Sequence, residues 1–234
     1  MTTHSIRLLY VVSLLDIIGP VMVGPSSSHT AGACRIGLLA RGLVGGTPER
    51  ATIELHGSFA RTGEGHGTDK AIAGGLMGFR PDDERIRDAL NIAEREGLDY
   101  KFEKTKLGDE GVTHPNTARL TVTRGSREAR LIGSSLGAGR VHISEINGFP
   151  VEVTGNFRTM VLVAEDIRGS IATIATLLAD EGLNIATLRL TRRKKGGDAF
   201  MVIELDDSPG ETVRDRIRAL PWVRWAFRLH KVSA

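Results

Sequence analysis

The sequence predicts an α/β protein of the α+β kind, built from two units over residues 1–150 and 158–234. Three patterns carry that expectation. The C-terminal third alternates apolar strand-like runs with two amphipathic stretches in the order strand, helix, strand, strand, helix, strand, the plan of a ferredoxin-like βαββαβ sandwich. The N-terminal part interleaves helical and strand periods and then sets several alternating runs in succession, which predicts a mixed sheet covered by helices. Two glycine-rich polar loops each lead into a helical pattern, so both are expected at helix N-termini.

In chain order, residues 6–23 are apolar but interrupted by Asp16, Gly19 and Pro20. That stretch is too short and broken to span a bilayer and lacks a small-residue cleavage site, so it predicts a buried first helix ending near Ile18. The first polar loop, Gly24 to Gly32, holds Ser26, Ser27, Ser28, His29 and Thr30. It feeds a helix whose face is Ile36, Leu39, Ala40 and Leu43, and the positive end of that helix would suit a carboxylate or phosphate. The structural alternative makes Ser28 or Thr30 a simple N-cap.

Residues 51–56 alternate like a half-buried strand and run into the second loop, His56 to Asp69, which carries Ser58, Thr62, Glu64, His66 and Thr68 among four glycines. A short glycine-rich helix is expected over residues 70–79 and an amphipathic one over 81–97, with Ile86, Leu90 and Ala93 inward. Residues 100–103 begin a strand, and 119–123, 128–133 and 140–146 predict antiparallel neighbours in one sheet. The run Gly133 to Gly139 lacks the endings of a phosphate loop and predicts a turn or bulge. After a change of texture at 148–158, strands are expected at 159–164, 183–191, 199–206 and 223–229, and helices at 171–180 and 211–220. The charged run 192–197 is a hairpin tip. This second unit is expected to fold independently, from about Arg158 to the C-terminus.

With 234 residues, 41% hydrophobic and 25% charged, the chain has the composition of an ordinary folded protein. A net charge of +3 spread along the sequence gives no nucleic-acid footprint. The single cysteine, Cys34, excludes an internal disulfide and an internal iron–sulfur cluster, and in a helix it is expected to be a buried small hydrophobe. The absence of a targeting pattern and one free thiol point to the cytoplasm, with no membrane association.

Residues 13–20 (SLLDIIGP) leading into Gly24–Gly32, then 56–69 (HGSFARTGEGHGTD), His114-Pro115-Asn116-Thr117 and Glu145-Ile146-Asn147-Gly148-Phe149 together resemble the beta subunit of iron–sulfur-dependent L-serine dehydratase. The resemblance covers nearly the whole chain in order. Asp166 with Gly169 in the first strand-to-helix turn of the second unit, and Gly182-Leu183-Asn184-Ile185 before its second strand, resemble an ACT domain, although Arg168 stands where that module usually has proline.

The resemblance implies an L-serine ammonia-lyase in which a [4Fe-4S] cluster polarises the substrate hydroxyl and water is eliminated, giving aminoacrylate and then pyruvate and ammonia. With one cysteine here, the cluster would belong to a cysteine-rich alpha subunit. It further implies His29, His66 and Asp69 as catalytic residues, and Ser26, Ser27, Ser28, Thr30, Ser58 and Thr68 as substrate-binding residues. Asp166, Gly169 and Asn184 would form the ACT ligand site. L-serine is the expected substrate and a candidate effector, an oligomer is expected, and no metal ligand is assigned to this chain. His56 replaces a frequent tyrosine and Glu64 a common lysine, so neither takes a role, and the α-proton base stays open. Two rivals are an ACT-type regulatory amino-acid-binding protein and a metallohydrolase using His29, His56, His66 and His114, whose spacing is not that of a zinc motif.

Overall fold

A computed structural model describes residues 20–232. The expected first helix lies outside the described residues. A π-helical turn, Ser27–Gly32, runs directly into α1, Ala33–Val44. β1, Arg50–Gly57, is followed by α2, Ser58–Thr62, and α3, Thr68–Met77. A 3₁₀ turn, Glu84–Asp88, precedes α4, Ala89–Arg95, and the chain returns to the sheet as β2, Asp99–Thr105. Four further strands complete the sheet: β3, Asn116–Arg124; β4, Arg127–Gly137; β5, Arg140–Ile146; and β6, Phe149–Val153. Its order is β2-β1-β3-β4-β5-β6, with β1 and β2 parallel and the other neighbours antiparallel. A parallel pair needs a long crossover, and α2, α3 and α4 supply it.

The four-residue repeat of Ile36, Leu39, Ala40 and Leu43 lays α1 on the sheet, with each of these residues at most 1% exposed. Each buried Ile or Leu side chain contributes about 1.5–3 kcal/mol. The opposite face of α1 meets α3 backbone to backbone. A Cβ on Gly75 would lie 2.1 Å from the Cys34 carbonyl oxygen, and one on Gly37 would lie 2.4 Å from that of Ile72. That contact accounts for Gly37 of α1 and Gly75 of α3.

Three local expectations are corrected. The amphipathic stretch 81–97 is α-helical only over α4, because the Asp83 carboxylate caps the Arg85 N–H at 3.0 Å and binds its guanidinium at 2.6 Å, fixing a 3₁₀ start. Residues 58–62 of the second polar loop form a helix. β6 arises inside the stretch read as a boundary, its Phe149 and Val153 buried. The Gly133–Gly139 run contains bulges, with register shifts at Ile132/Gly133 and Ser135/Gly137.

The second unit consists of β7, Arg158–Glu165; α5, Ser170–Asp180; β8, Ile185–Arg192; β9, Asp198–Leu205; α6, Glu211–Arg218; and β10, Val223–Leu229. Its antiparallel sheet has the order β10-β7-β9-β8 expected of a ferredoxin-like plan. Strand alternation splits its side chains between two cores. Met160, Leu162, Met201 and Ile203 face α5 and α6, packing with Ile174, Leu178, Val213 and Ile217. Val161, Phe200, Val202, Phe227 and Leu229 instead join the core of the first unit. Both sheets and α1 therefore share one core. Phe149 of β6 stacks on Phe200 with ring centroids 5.2 Å apart, and Trp225 and Phe227 continue the row.

Candidate active site

The first polar loop winds into a helix earlier than expected. Ser26, extended at φ −141°, is the N-cap, and its Oγ accepts the His29 backbone N–H at 3.2 Å. Neither Ser28 nor Thr30 is the cap, because both already lie within the first turn. This places the His29 side chain between two elements. Its Nδ1 is 3.4 Å from Ser26 Oγ, while Nε2 is 3.3 Å from Ser58 Oγ and 3.1 Å from Thr62 Oγ1. The Thr62 hydroxyl donates to the Ser58 carbonyl at 3.0 Å, which leaves its oxygen to accept from the Nε2–H. The His29 lone pair then sits on Nδ1, facing the Ser26 hydroxyl.

Gly57 sets the position of Ser58. Its φ of +61° turns the end of β1 into α2, and a Cβ there would lie 2.4 Å from the Pro115 carbonyl oxygen, which accepts the Ser58 N–H at 2.7 Å. The fully buried Phe59 ring anchors α2 and meets the edge of His29 at 5.2 Å between centroids.

His66 joins the cluster, its ring centroid 5.0 Å from that of His29. Its Nδ1 donates to the Thr62 carbonyl at 3.0 Å, since a carbonyl can only accept. In the neutral ring the lone pair is then on Nε2, which has no partner among the described residues. Burial first, and then the neighbouring His66, hold the His29 imidazole below the ordinary histidine value. The lowered value favours a neutral His29 imidazole near neutral pH. His29 and Ser58 are half-buried and Thr62 and His66 exposed, so the cluster faces outward.

Ser26, His29, Ser58 and His66 thus come together, and Thr62 is the member that the site assignment from sequence left out. Its signal was the four-residue spacing of Ser58, Thr62 and His66: the first two share a face of α2 and His66 follows in the turn after it, an arrangement hidden by reading the stretch as a loop. The other candidates lie apart. Ser27 Oγ accepts the Ala138 N–H at 3.2 Å, tying the loop to the β4–β5 turn. Ser28 is half-buried beside that turn. Thr30 and Thr68 are buried with unpaired hydroxyls. Asp69, in the first turn of α3, lines a cavity of about 220 Å³ with Leu55, Phe59, Phe102 and Lys104, its Oδ1 buried and unpaired. His56 and His114 accept backbone N–H groups of Leu107 and Asn116.

In the second unit Asp166 accepts the Gly196 N–H at 3.0 Å and an Arg192 N–H at 2.8 Å, clasping the β8–β9 hairpin. The Gly196 N–H first, then Arg192, hold its carboxyl below the ordinary range. Gly169, at φ +83°, starts α5. Asn184 lies beyond the other end of that helix, donating to Asp206 at 2.6 Å. An eleven-residue helix spans about 16 Å, so one chain does not bring these three residues to one point.

Fold and site define an α/β subunit that presents an outward-facing hydroxyl–imidazole cluster and carries a ferredoxin-like module docked through a shared core. Residues 13–144 match the family described as serine dehydratase beta chain, and residues 158–221 match the ACT domain. The chain belongs to the serine dehydratase beta chain family and carries a C-terminal ACT domain. It is 45% identical to a probable L-serine dehydratase beta chain of Bacillus subtilis (strain 168), over 89% of this chain and 94% of that one. Identity to the L-serine dehydratase beta chain of Peptoniphilus asaccharolyticus is 39%, over 88% and 92%. A D-3-phosphoglycerate dehydrogenase of Synechocystis sp. is 26% identical over 82% of this chain and 34% of its own length. No helix among the described residues is long and apolar enough to cross a membrane.

Proposed function

We propose that this chain is the beta subunit of an L-serine ammonia-lyase, forming pyruvate and ammonia, and that a separate cysteine-rich alpha subunit holds a [4Fe-4S] cluster against it. The outward-facing cluster of His29, His66, Ser58 and Thr62 carries the reading, because it has the groups for proton transfer and carboxylate binding but no enclosure of its own. The residues of this chain do not fit as ligands of an iron–sulfur cluster. Cys34 is fully buried, donates its thiol to the Phe79 carbonyl at 3.2 Å, and is pushed up to about 12 by burial, whereas a ligand must be a thiolate. A cluster held by the partner would supply Lewis-acid polarisation of the substrate hydroxyl.

What this chain contributes is the rest of the site. The turn begun at Ser26 offers backbone N–H groups and hydroxyls to the substrate carboxylate. The free Nε2 of His66 is the nitrogen best placed to receive a proton, and His29 orients the hydroxyls of Ser58 and Thr62. The free thiol of Cys34 fits a reducing cytoplasm.

The test is anaerobic preparation of the chain alone and together with its alpha subunit. Pyruvate should form from L-serine only with both chains present. Serine deamination by the isolated chain carrying its own iron–sulfur cluster would overturn the proposal. The Synechocystis relative favours a second reading, in which the chain is regulatory, because its similarity extends across both units in a protein named for different chemistry. L-serine binding to the isolated chain, with an alpha subunit fully active on its own, would support that alternative.

A further inference from the structure

Five arginines that are far apart in sequence converge at the junction of the two units. Arg41 comes from the last turn of α1, Arg127 from the start of β4, Arg214 and Arg218 from α6, and Arg228 from β10. With His230 they line a cavity of about 220 Å³ that has no acidic residue in its wall. Two carboxylates stand beside it: Glu211 pairs with Arg214, and Asp215 lies 3.7 Å from Arg218. Arg41, Arg127 and Arg228 pair with no carboxylate among the described residues.

A purely structural role accounts for part of this cluster. Arg127 and Arg218 flank the Phe227 ring at 5.3 and 5.2 Å, and Arg218 donates to the Ala226 carbonyl at 3.0 Å. These contacts bind the units together. Hydrogen bonding elsewhere in the cluster is only partly filled: Arg228 donates to Ser208 Oγ at 3.3 Å and to the Pro209 carbonyl at 3.4 Å and lies 3.4 Å from His230 Nε2, and Arg127 donates to the Val44 carbonyl at 3.5 Å. Nine buried side-chain polar atoms among the described residues lack a partner, and three of them are the Nε atoms of Arg41, Arg214 and Arg228. Unpaired buried donors are costly, and all three belong to side chains that line this one cavity. The positive field also reaches its neighbours. Burial, then Arg228, Arg41 and Arg214, hold His230 below the ordinary histidine value, and burial with Arg218 and Arg228 lowers Arg214.

We infer that this cleft binds a small phosphate-type oxyanion, a phosphate or phosphate monoester. Guanidinium groups bind tetrahedral phosphate through paired N–H donors, and a concave wall of one sign focuses the field on such an anion. Arg41, Gly42 and His230 also line an adjoining cavity of about 440 Å³ that contains Leu38, Pro81 and Val232, room for the organic part of a monoester. The occupied cleft would brace the C-terminal end of α1 against the ACT domain. Because the π-helical turn and α1 form one continuous rod from Ser27 to Val44, the ligand would act on the same rod that carries His29. The inference stands independently of the catalytic reading.

The test is titration of the full chain with inorganic phosphate by calorimetry and thermal melting, with chloride at matched ionic strength and succinate as comparison anions. Phosphate should bind saturably at one site per chain and raise the melting temperature, with succinate at least tenfold weaker. Arg41→Gln and Arg228→Gln should each weaken phosphate at least tenfold, while Lys195→Gln in the β8–β9 turn should leave it unchanged. If a glutamine variant fails to fold, Arg228→Lys keeps the charge but loses the fork, and hydrogen exchange of the unaltered chain should slow in α6, β10 and the end of α1 when phosphate is added. No saturable phosphate binding below about 10 mM would overturn the proposal. Chloride or succinate matching phosphate, or binding unaffected by the arginine variants, would also overturn it.

Discussion

Replacing His29 with alanine separates a catalytic loop from a merely structural one, because the structure assigns different magnitudes to the two roles. The substitution removes three ring-to-hydroxyl approaches of 3.1–3.4 Å and the edge packing of the imidazole on Phe59. Neutral hydrogen bonds contribute about 0.5–1.5 kcal/mol net, and these are long ones to half-exposed groups, so the stability cost should be about 1–2 kcal/mol. For a chain of this size that is a fall in Tm of about 2–8 °C. Turnover should fall by about a hundredfold or more, the contribution of a general acid–base or orienting group, equal to at least about 2.7 kcal/mol of barrier. The assay is pyruvate release against serine concentration in the complex with the alpha subunit, with melting curves for each variant. Ser26→Ala gives the contrast: it removes the cap for about 1 kcal/mol of stability but should change turnover far less. His66→Ala should be as damaging as His29→Ala, and the double variant little worse than either, if the two imidazoles act as a unit. Near-normal turnover by His29→Ala in an assembled complex would refute the reasoning and leave the loop a helix start.

The helix crossing and the histidines give two further expectations. Gly75→Ala should destabilise by about 1–3 kcal/mol or more, because its Cβ would press on the immobile Cys34 carbonyl oxygen at 2.1 Å, whereas Gly74→Ala meets only side chains, Ile86 at 3.1 Å, Phe79 at 3.4 Å and Ala89 at 3.6 Å, and should be milder. Equal urea midpoints for the two variants would contradict this account of the α1–α3 contact. His29 and His230 both have folded-state values below the ordinary 6.5, so the unfolded chain binds more protons just below that pH. Stability should therefore be intact above about pH 6.5 and decline as pH falls through the depressed folded values. Urea midpoints measured from about pH 5 to pH 8 should show this slope, and His29→Gln with His230→Gln should flatten it; an unchanged slope would assign it to other groups.

The sequence by itself determined what depends on local periodicity and local composition. The order of elements in the ACT domain was legible because each strand alternates and each helix repeats within its own few residues. Both polar loops could be placed at helix starts for the same reason, and Cys34 on a helical face was readable as buried. The sequence also held a sign of the docked second sheet. The unbroken run Ala199-Phe200-Met201-Val202-Ile203 has no polar face, and β9 is buried on both sides. That sign shows that something covers both faces of the strand but not what covers them.

Only the tertiary structure decided which side chains meet. Ser58, Thr62 and His66 reach His29 because Gly57 turns the chain against Pro115, while the nearby Asp69 faces a different cavity. The arginine cleft is assembled from positions 41 to 228, which no window of sequence brings together. The physical reason is range. Hydrogen-bonding periodicity acts over three or four residues and leaves its mark on the local sequence. Convergence of side chains depends instead on how closely α1 can approach α3 across Gly37 and Gly75, and on which face of the second sheet α1 covers. Those distances are set by packing between segments far apart in the chain, in the second case more than a hundred residues apart.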